Sequence, residues 1–397
     1  MKHQYSKIVN SLKEESMPAL ILIQEAIDEN IEFFAKESKS KKIRIATKSV
    51  RSIEVIKYII KKLGKNKCSG LMCYSLKEAL WLLDNDLDDI LMGYPCVNTK
   101  EIESVLLLSK EKGARVTFMV DLVEHLNILT SAAKKVNTEV SICIDIDMSL
   151  KLPFLNFGVY RSSVRTIDEL EKLIEEIKNR KELKLDALMG YEAQVAGVPD
   201  RNSRKVIESW VVSLLKKFSI KKITKLRESA LKLASASYNI SIFNGGGTGS
   251  INSTCAEEHI SEITIGSGFY APKLFDHYKS LDLSPALVFG LSVTRNPEPH
   301  IYTCAGGGYI ASGSVGLEKV PQPIDKELEL ISTEMMGEVQ SPLRARNTNI
   351  NLGDAILFRH AKAGELCEHF NKIWVYNKSG EKINEYKTYR GEGHKFL

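Results

Sequence analysis

The feature that most constrains this chain is a rhythm. Between about residues 43 and 267, short apolar runs rich in β-branched side chains alternate with stretches whose apolar residues recur every three or four positions. The strand-like runs fall at 43–48, 69–74, 88–94, 115–121, 139–147, 184–191, 239–243 and 262–267. Helical patterns occupy the intervals at 49–63, 76–83, 98–112, 122–135, 166–180 and 200–236, with one more at 253–260. Nearly continuous apolar strands joined by helices predict a parallel sheet covered on both faces. Eight such units over about 225 residues favour a closed (β/α)8 TIM-type barrel over an open doubly wound sheet.

After about residue 275 the texture changes. Short β-type runs at 286–293, 300–304, 309–311, 338–340, 355–358, 372–376 and 385–389 are separated by turn residues, which predicts an antiparallel β domain. The early run Pro18–Ile23 suits a strand and leads into a helical pattern at 25–37. The expected organisation is therefore an N-terminal segment, 1–24, that contributes a strand to the β domain, a barrel over 25–275, and a C-terminal β domain over 276–397.

Composition removes several classes of function. The net charge of +5 is spread along the chain, with no arginine-rich arm and no basic stripe interleaved with aromatics, so no nucleic-acid partner is expected. No apolar run approaches the ~18 residues needed to span a bilayer, so no membrane span is expected. The seven cysteines are odd in number, scattered, and form no CxxC pair. With no signal peptide at the charged N-terminus, that pattern fits a reducing, cytoplasmic setting.

Two stretches carry candidate chemistry. Lys48 ends the first strand-like run, and a helical pattern follows at once. In a βα barrel that places it on the C-terminal rim, where catalysis resides. Alone it is one of 55 lysines and arginines, most of them solvated. The second stretch is Asn244-Gly245-Gly246-Gly247-Thr248-Gly249-Ser250, directly after the seventh run. Glycines let the backbone approach an anion, and consecutive N–H groups with the Thr248 and Ser250 hydroxyls can ring a phosphate. The eighth run ends Thr264-Ile265-Gly266-Ser267-Gly268 and supplies further N–H groups beside it. The loops after strands seven and eight are the usual phosphate address of these barrels. A plain flexible turn is the bland reading. A P-loop is excluded, because no Gly-Lys-Ser/Thr ends the stretch. A phosphate cradle on the same rim as a lysine points to a phosphorylated cofactor that condenses with lysine. Pyridoxal 5′-phosphate (PLP) fits, with Lys48 as its Schiff-base partner.

With these motifs on the page, the chain resembles the fold-type III PLP enzymes, whose N-terminal barrel is of the alanine racemase type. Within them it is similar to the D-threonine aldolase and D-serine dehydratase group. The likeness rests on Pro18-Ala19-Leu20-Ile21-Leu22, Ile45-Ala46-Thr47-Lys48, Gly158-Val159-Tyr160-Arg161, Leu188-Met189-Gly190-Tyr191-Glu192, the glycine stretch, and Thr264 to Tyr270. It implies Lys48 as the cofactor lysine, Arg161 beside the pyridoxal ring, and Tyr191 as an active-site tyrosine. It implies cofactor contacts from Asn244, Gly245, Gly246, Gly247, Thr248, Gly249, Thr264, Gly266 and Ser267. The resemblance also implies a homodimer and a D-amino acid substrate.

One departure stands out. The D-specific lyases carry a His-x-Cys or His-x-Asp metal pair near the C-terminus, and here Glu365 stands where the histidine belongs, two residues before Cys367. Glu365 and Cys367 would alternate on one strand face, with His360 nearby. The three are a tentative ligand set for Zn²⁺ or Mn²⁺. Otherwise Glu365 or His360 is an acid/base group in a metal-free site. The expected function is a PLP-dependent lyase of D-β-hydroxy-α-amino acids, acting by aldol cleavage or dehydration. The alternatives are an amino-acid racemase, with a second base drawn from Tyr270, Tyr278, Tyr302 or Tyr309; a non-catalytic PLP carrier; and a barrel enzyme that binds a phosphorylated sugar or nucleotide.

Overall fold

The computed structural model describes residues 2–13, 15–152, 155–199, 206–313, 316–347 and 350–396. In chain order the first strands are β1 (Ala19–Ile23), β2 (Lys42–Ala46), β3 (Cys68–Cys73), β4 (Ile90–Pro95), β5 (Val116–Val120) and β6 (Val140–Asp145). A small hairpin, β7 (Leu150–Leu152) and β8 (Leu155–Phe157), precedes β9 (Leu183–Gly190), β10 (Ile242–Gly245) and β11 (Glu262–Ile265). Eight of these close into a parallel barrel in the order β2-β3-β4-β5-β6-β9-β10-β11, with β11 pairing back on β2 through Ile263 and Ile43.

The helices between them follow from local chemistry. Ser52 caps the helix Ile53–Lys67, Asn98 caps Thr99–Lys112, and Thr166 with Glu169 forms a reciprocal capping box on Ile167–Lys178. Each turns a stripe of Ile, Leu and Val onto the barrel, such as Val55, Ile56 and Ile59, all fully buried. Each such side chain contributes about 1.5–3 kcal/mol by leaving water.

Alternation along the strands sorts side chains between this outer layer and the barrel interior. Leu91, Met119, Cys143, Ala187, Met189 and Ile242 pack together in the lumen. Arg44, flanked by the buried Ile43 and Ile45, also points into the lumen. There it pairs with Glu262 at 2.6 Å and Asp89 at 2.9 Å, and Asn244 donates to Glu262 at 2.8 Å. The same two-residue step that sends Arg44 inward carries on through Ala46 to Lys48.

The C-terminal module consists of β12 (Leu287–Glu298), β13 (Ile301–Ala305), β14 (Gln322–Pro323), β15 (Leu328–Leu330), β16 (Gln340–Ala345), β17 (Ala355–Arg359), β18 (Lys372–Tyr376) and β19 (Lys382–Lys387). Its sheet runs β15-β16-β13-β12-β1-β18-β19, with β17 joined to β12 and β14. β1 lies between β12, antiparallel, and β18, parallel.

Two local expectations differ from the structure. Residues 309–311 form no strand, because the chain turns through Gly306 and Gly307 at φ +82° and +128°. Glu365 and Cys367 do not share a strand face: they lie in the 3-10 helix Glu365–His369. Gly364, at φ +91°, starts that turn against the barrel, where a Cβ would stand 2.2 Å from the Lys48 carbonyl oxygen. Among the described residues no helix is long and apolar enough to cross a membrane.

Candidate active site

Lys48 sits in a single 3-10 turn, Thr47–Ser49, directly after β2. That turn is fixed from several sides. Thr47 Oγ1 donates to the Met72 carbonyl at 3.0 Å, and Arg51 Nε donates to the Lys48 carbonyl at 2.9 Å. Arg51 in turn pairs with Glu368 at 2.6 Å, and the Tyr270 hydroxyl donates to the Val50 carbonyl at 2.9 Å. The Tyr389 amide donates to the Arg51 carbonyl at 2.9 Å, while the Tyr389 hydroxyl donates to Glu78 at 3.0 Å. Burial raises the Glu78 carboxyl to about 7.

From this turn the Lys48 Nζ donates to the Tyr94 hydroxyl at 2.9 Å. Arg161 lies on the same tyrosine, its guanidinium 5.2 Å from the ring centroid, and 5.7 Å from the Tyr191 ring. Its fork is aimed by Asp145, at 2.7 Å, and by the Gly93 carbonyl, at 2.9 Å. Ser162 Oγ donates to the Asp145 carbonyl at 2.6 Å and ties the arginine's loop to the tip of β6. Asp145 is nearly inaccessible, and burial pushes its carboxyl up to about 7, with Arg161 opposing and Asp121 and Asp147 adding to the rise. Its Oδ1 has no hydrogen-bond partner.

Tyr191 follows β9 and leans on the glycine stretch: a Cβ on Gly247 would lie 3.3 Å from the tyrosine ring. Burial, with the Glu192 carboxylate adding, raises the Tyr191 phenol to about 12, so it stays protonated at neutral pH. Behind it Glu192 accepts from the Gly246 N–H at 3.0 Å, from the Thr254 hydroxyl, and from Arg227. Burial would raise the Glu192 carboxyl, but Arg227 and its hydroxyl partners outweigh that and hold it below the usual range. Arg227 also donates to the Gly190 carbonyl and pairs with Glu257. One buried carboxylate thus joins the tip of β9 to the tip of β10.

The glycine stretch is tight against its surroundings. A Cβ on Gly249 would stand 2.2 Å from the Ala196 carbonyl oxygen and 2.4 Å from the Tyr278 ring. A Cβ on Gly268, in the next loop, would meet Phe34 at 2.4 Å and Thr248 at 2.8 Å, so the two loops touch. The N–H groups of Thr248 and Gly249 open a turn that continues into the helix Ile251–Cys255. Helix geometry leaves such first N–H groups without partners of their own, which suits them to an anion.

Lys48, Arg161, Tyr191, Gly247, Thr248 and Gly249 thus form one arc, with Gly266 and Ser267 on the adjoining loop. Other expected cradle groups are spent elsewhere. Asn244 and Thr264 bond each other at 2.8 Å inside the lumen, the Gly246 N–H belongs to Glu192, and the Ser250 hydroxyl accepts from the Gly247 N–H at 3.1 Å.

The tentative metal set is not brought together. The His360 Nδ1 lies 3.0 Å from the Leu287 carbonyl, in a burial that lowers its pKa to about 3. Glu365 accepts from the amide and hydroxyl of Ser312. The Cys367 thiol faces the Val50 carbonyl at 3.6 Å, with its pKa raised to about 12 by burial. Among the described residues no three His, Cys, Asp or Glu side chains converge as metal ligands. Placed apart in this way, these donors do not fit a metal.

Sequence reasoning missed Tyr94, Asp145, Glu192 and Arg227. The acidic tip Asp145-Ile146-Asp147 on an apolar strand was a usable signal for one of them, and Glu192 adjoins Tyr191. Arg227, inside the helix Val206–Ser235, had none.

A βα barrel whose first strand ends in a lysine, facing a glycine-walled anion turn across its rim, defines a class of cofactor-binding barrel. The model for the alanine racemase N-terminal domain matches residues 23–272, and the chain belongs to that family. A curated relative, 3-hydroxy-D-aspartate aldolase of Paracoccus denitrificans (strain Pd 1222), is 24% identical over 256 residues, which cover 64% of this chain and 60% of that protein. Among solved structures, D-threonine aldolase from Filomicrobium marinum superposes with a TM-score of 0.78 at 17% identity, over 95% of both chains. D-threo-3-hydroxyaspartate dehydratase from Delftia sp. HT23 gives 0.73 at 14% identity, over 95% of this chain and 98% of that one. Alanine racemase from Clostridium difficile 630, complexed with cycloserine, gives 0.62 at 15% identity, over 94% and 98%. At these identities the structural likeness is one of fold. Family membership implies PLP, and the residues present fit it: an amine, an aimed guanidinium, a flat tyrosine ring and a turn with free N–H groups where a Cβ is excluded.

Proposed function

We propose that the protein is a PLP-dependent lyase of D-β-hydroxy-α-amino acids. The observation that carries the reading is the arc itself, with Lys48 at one end, the Gly247–Gly249 turn at the other, and Arg161 and Tyr191 between. The curated relative, named for aldol cleavage of 3-hydroxy-D-aspartate, and the two lyase folds support the substrate class.

In this reading the Thr248 and Gly249 N–H groups would hold the phosphate, and Lys48 would hold the cofactor. Bound there, PLP supplies an electron sink for charge that develops at the substrate Cα. The chain's residues do the rest. Arg161, kept cationic and aimed by Asp145, presents its fork to the ring. Tyr191 walls the mouth and keeps its phenolic proton. Lys48 Nζ would take or return a proton at the substrate Cα. The β module, pressed on the Lys48 turn through Gly364, fixes the backbone beneath the amine. The working assembly is a homodimer, and the seven cysteines, all free, support a cytoplasmic setting.

The test is colour and product. The purified protein should be yellow, with a visible band that borohydride bleaches and Lys48→Ala abolishes. A panel of D-β-hydroxy amino acids should then release an aldehyde with glycine, or a keto acid with ammonia. A colourless protein that takes up no added PLP refutes the cofactor assignment. A yellow protein that yields only the mirror-image amino acid refutes the lyase.

A further inference from the structure

We propose that Tyr94 is the proton partner of Lys48, its phenol oxygen accepting the proton that the amine must shed to act as a nucleophile and later giving it back. The proposal rests on the role given to Lys48 above, but it is read from contacts that stand whatever the substrate is.

The first observation is the company Lys48 keeps. Among the described residues its Nζ has one hydrogen-bond partner, the Tyr94 hydroxyl at 2.9 Å. Among the described residues it forms no ion pair with a carboxylate. Asp145, the acid behind Arg161, is committed to that arginine at 2.7 Å. The proton on this amine therefore has one direct destination on the protein.

A second observation is how Tyr94 reaches the mouth. Leu91 on β4 faces the lumen, so simple alternation would send Gly93 inward and Tyr94 outward. The pairing of β4 with β5 slips between Leu91 and Pro95, where four residues advance against two from Thr117 to Met119. Such a bulge re-aims the side chain beside it. Gly93 leaves room for this: a Cβ there would lie 3.1 Å from the Cys73 carbonyl and from the Met72 side chain. The strand is thus distorted at the one residue that meets Lys48.

The third is the charge around the phenol. The groups facing the pair are Arg161 on the loop after the β7–β8 hairpin, Asp145 behind it at the tip of β6, and Tyr191 across the arginine; the Cys96 thiol just beyond β4 faces the Tyr94 backbone carbonyl. Burial opposes ionisation of Tyr94, but the Lys48 and Arg161 cations outweigh it and bring the phenol below its usual range. Two cations around one phenol favour its anionic form.

The step balances within the pair. Tyr94 first gives its phenol proton to water; the Lys48 N–H bond then breaks and leaves its electron pair on nitrogen, while that proton forms an O–H bond on the Tyr94 phenolate. In that transfer no net charge enters or leaves. At pH 7.5 only about one ordinary lysine amine in a thousand is neutral, so a phenolate in contact gives the ammonium proton a direct route at the moment the nitrogen attacks.

The test has a readout that needs no cofactor. In PLP-free protein labelled with ¹³C at tyrosine Cζ, Tyr94 should ionise at lower pH than the other accessible tyrosines. In Lys48→Met that advantage should disappear. If Tyr94 titrates with the other tyrosines, or ignores Lys48→Met, the proposal is overturned. In Tyr94→Phe, which keeps the ring under Arg161, the rate of PLP uptake at pH 7.5 should fall at least tenfold. Equilibrium affinity should change less than threefold, and the rate should recover towards pH 10 as the amine loses its own proton. A loss equal at every pH, or one shared with affinity, marks a structural role and overturns the proposal. If wild type takes up no PLP, the reading of the site fails, and the titration still decides the pairing.

Discussion

Gly249→Ala is the most direct probe of the cradle. Gly249 does not have a positive φ, so the change adds bulk without backbone strain. The new Cβ would stand 2.2 Å from the Ala196 carbonyl oxygen and 2.4 Å from the buried Tyr278 ring, whose hydroxyl is tied to that same carbonyl at 2.9 Å. A tolerable C···O contact is about 3.3 Å, so the loop must retreat by roughly 1 Å. Neither neighbour is a flexible side-chain end. A donor displaced by roughly 1 Å no longer reaches an anion at hydrogen-bond distance. Losing two N–H bonds to a charged phosphate at about 1.5–3 kcal/mol each costs about 3–6 kcal/mol. That is roughly a 10²–10⁴-fold rise in the Kd for PLP. Gly247→Ala is the control, because its Cβ would meet Ala196 and the Tyr191 ring at 3.3 Å, a contact that yields by small shifts. It should cost no more than about tenfold. Absorbance titration of cofactor-free protein gives both values, with thermal denaturation checking that each variant is folded. Gly249→Ala binding PLP within threefold of wild type refutes the assignment of this turn to the phosphate.

Asp145→Asn tests the buried carboxyl behind Arg161. Its pKa in the fold, about 7, is raised above the usual 3.8, so its contribution to stability is complete below pH ~4 and is lost as pH rises towards 7. Asn cannot ionise, so between pH 5.5 and 8 the variant should gain about 2 kcal/mol relative to wild type in urea denaturation, and a pH-independent difference would refute the buried-acid account. For the metal question, Glu365→Gln and Cys367→Ala should leave bound metal per chain, measured by plasma emission, equal to wild type. Loss of a stoichiometric Zn²⁺ or Mn²⁺ in either variant would restore the rejected ligand set.

The barrel was legible because its signal is repeated. Each strand and helix has its own periodicity, and an error at one boundary leaves the count intact. The lysine and the glycine stretch were legible for a related reason: residue type and address coincide, since a strand tip and a Gly-rich loop are recognisable without knowing what packs on them. What was illegible depends on register and distance. Tyr94 enters the mouth only because β4 slips against β5, and no local pattern announces that slip. Arg227 reaches Glu192 across 35 residues from the middle of a long helix, where an arginine ordinarily faces solvent. Glu365 and Cys367 read as alternating on a strand because they stand two residues apart, as in the His-x-Cys pair they replace. The left-handed Gly364, pressed on the Lys48 carbonyl, imposes a turn instead.

These contacts divide the work of positioning between two parts of the chain. The cradle end of the arc is braced within the barrel: Glu192 and Arg227 tie Gly190 to Gly246, and the loops after β10 and β11 touch at Thr248 and Gly268. The lysine end is braced largely from outside it. Gly364 abuts the Lys48 carbonyl, Glu368 holds Arg51, and Tyr389 holds both the Arg51 carbonyl and Glu78, while Tyr270, from the barrel's own last loop, holds the Val50 carbonyl. A lysine carries four rotatable bonds, so the backbone beneath it must be rigid if the amine is to meet one partner at 2.9 Å. The β module supplies that rigidity at the Lys48 turn, and a barrel without it would keep its anion turn while losing the aim of its amine.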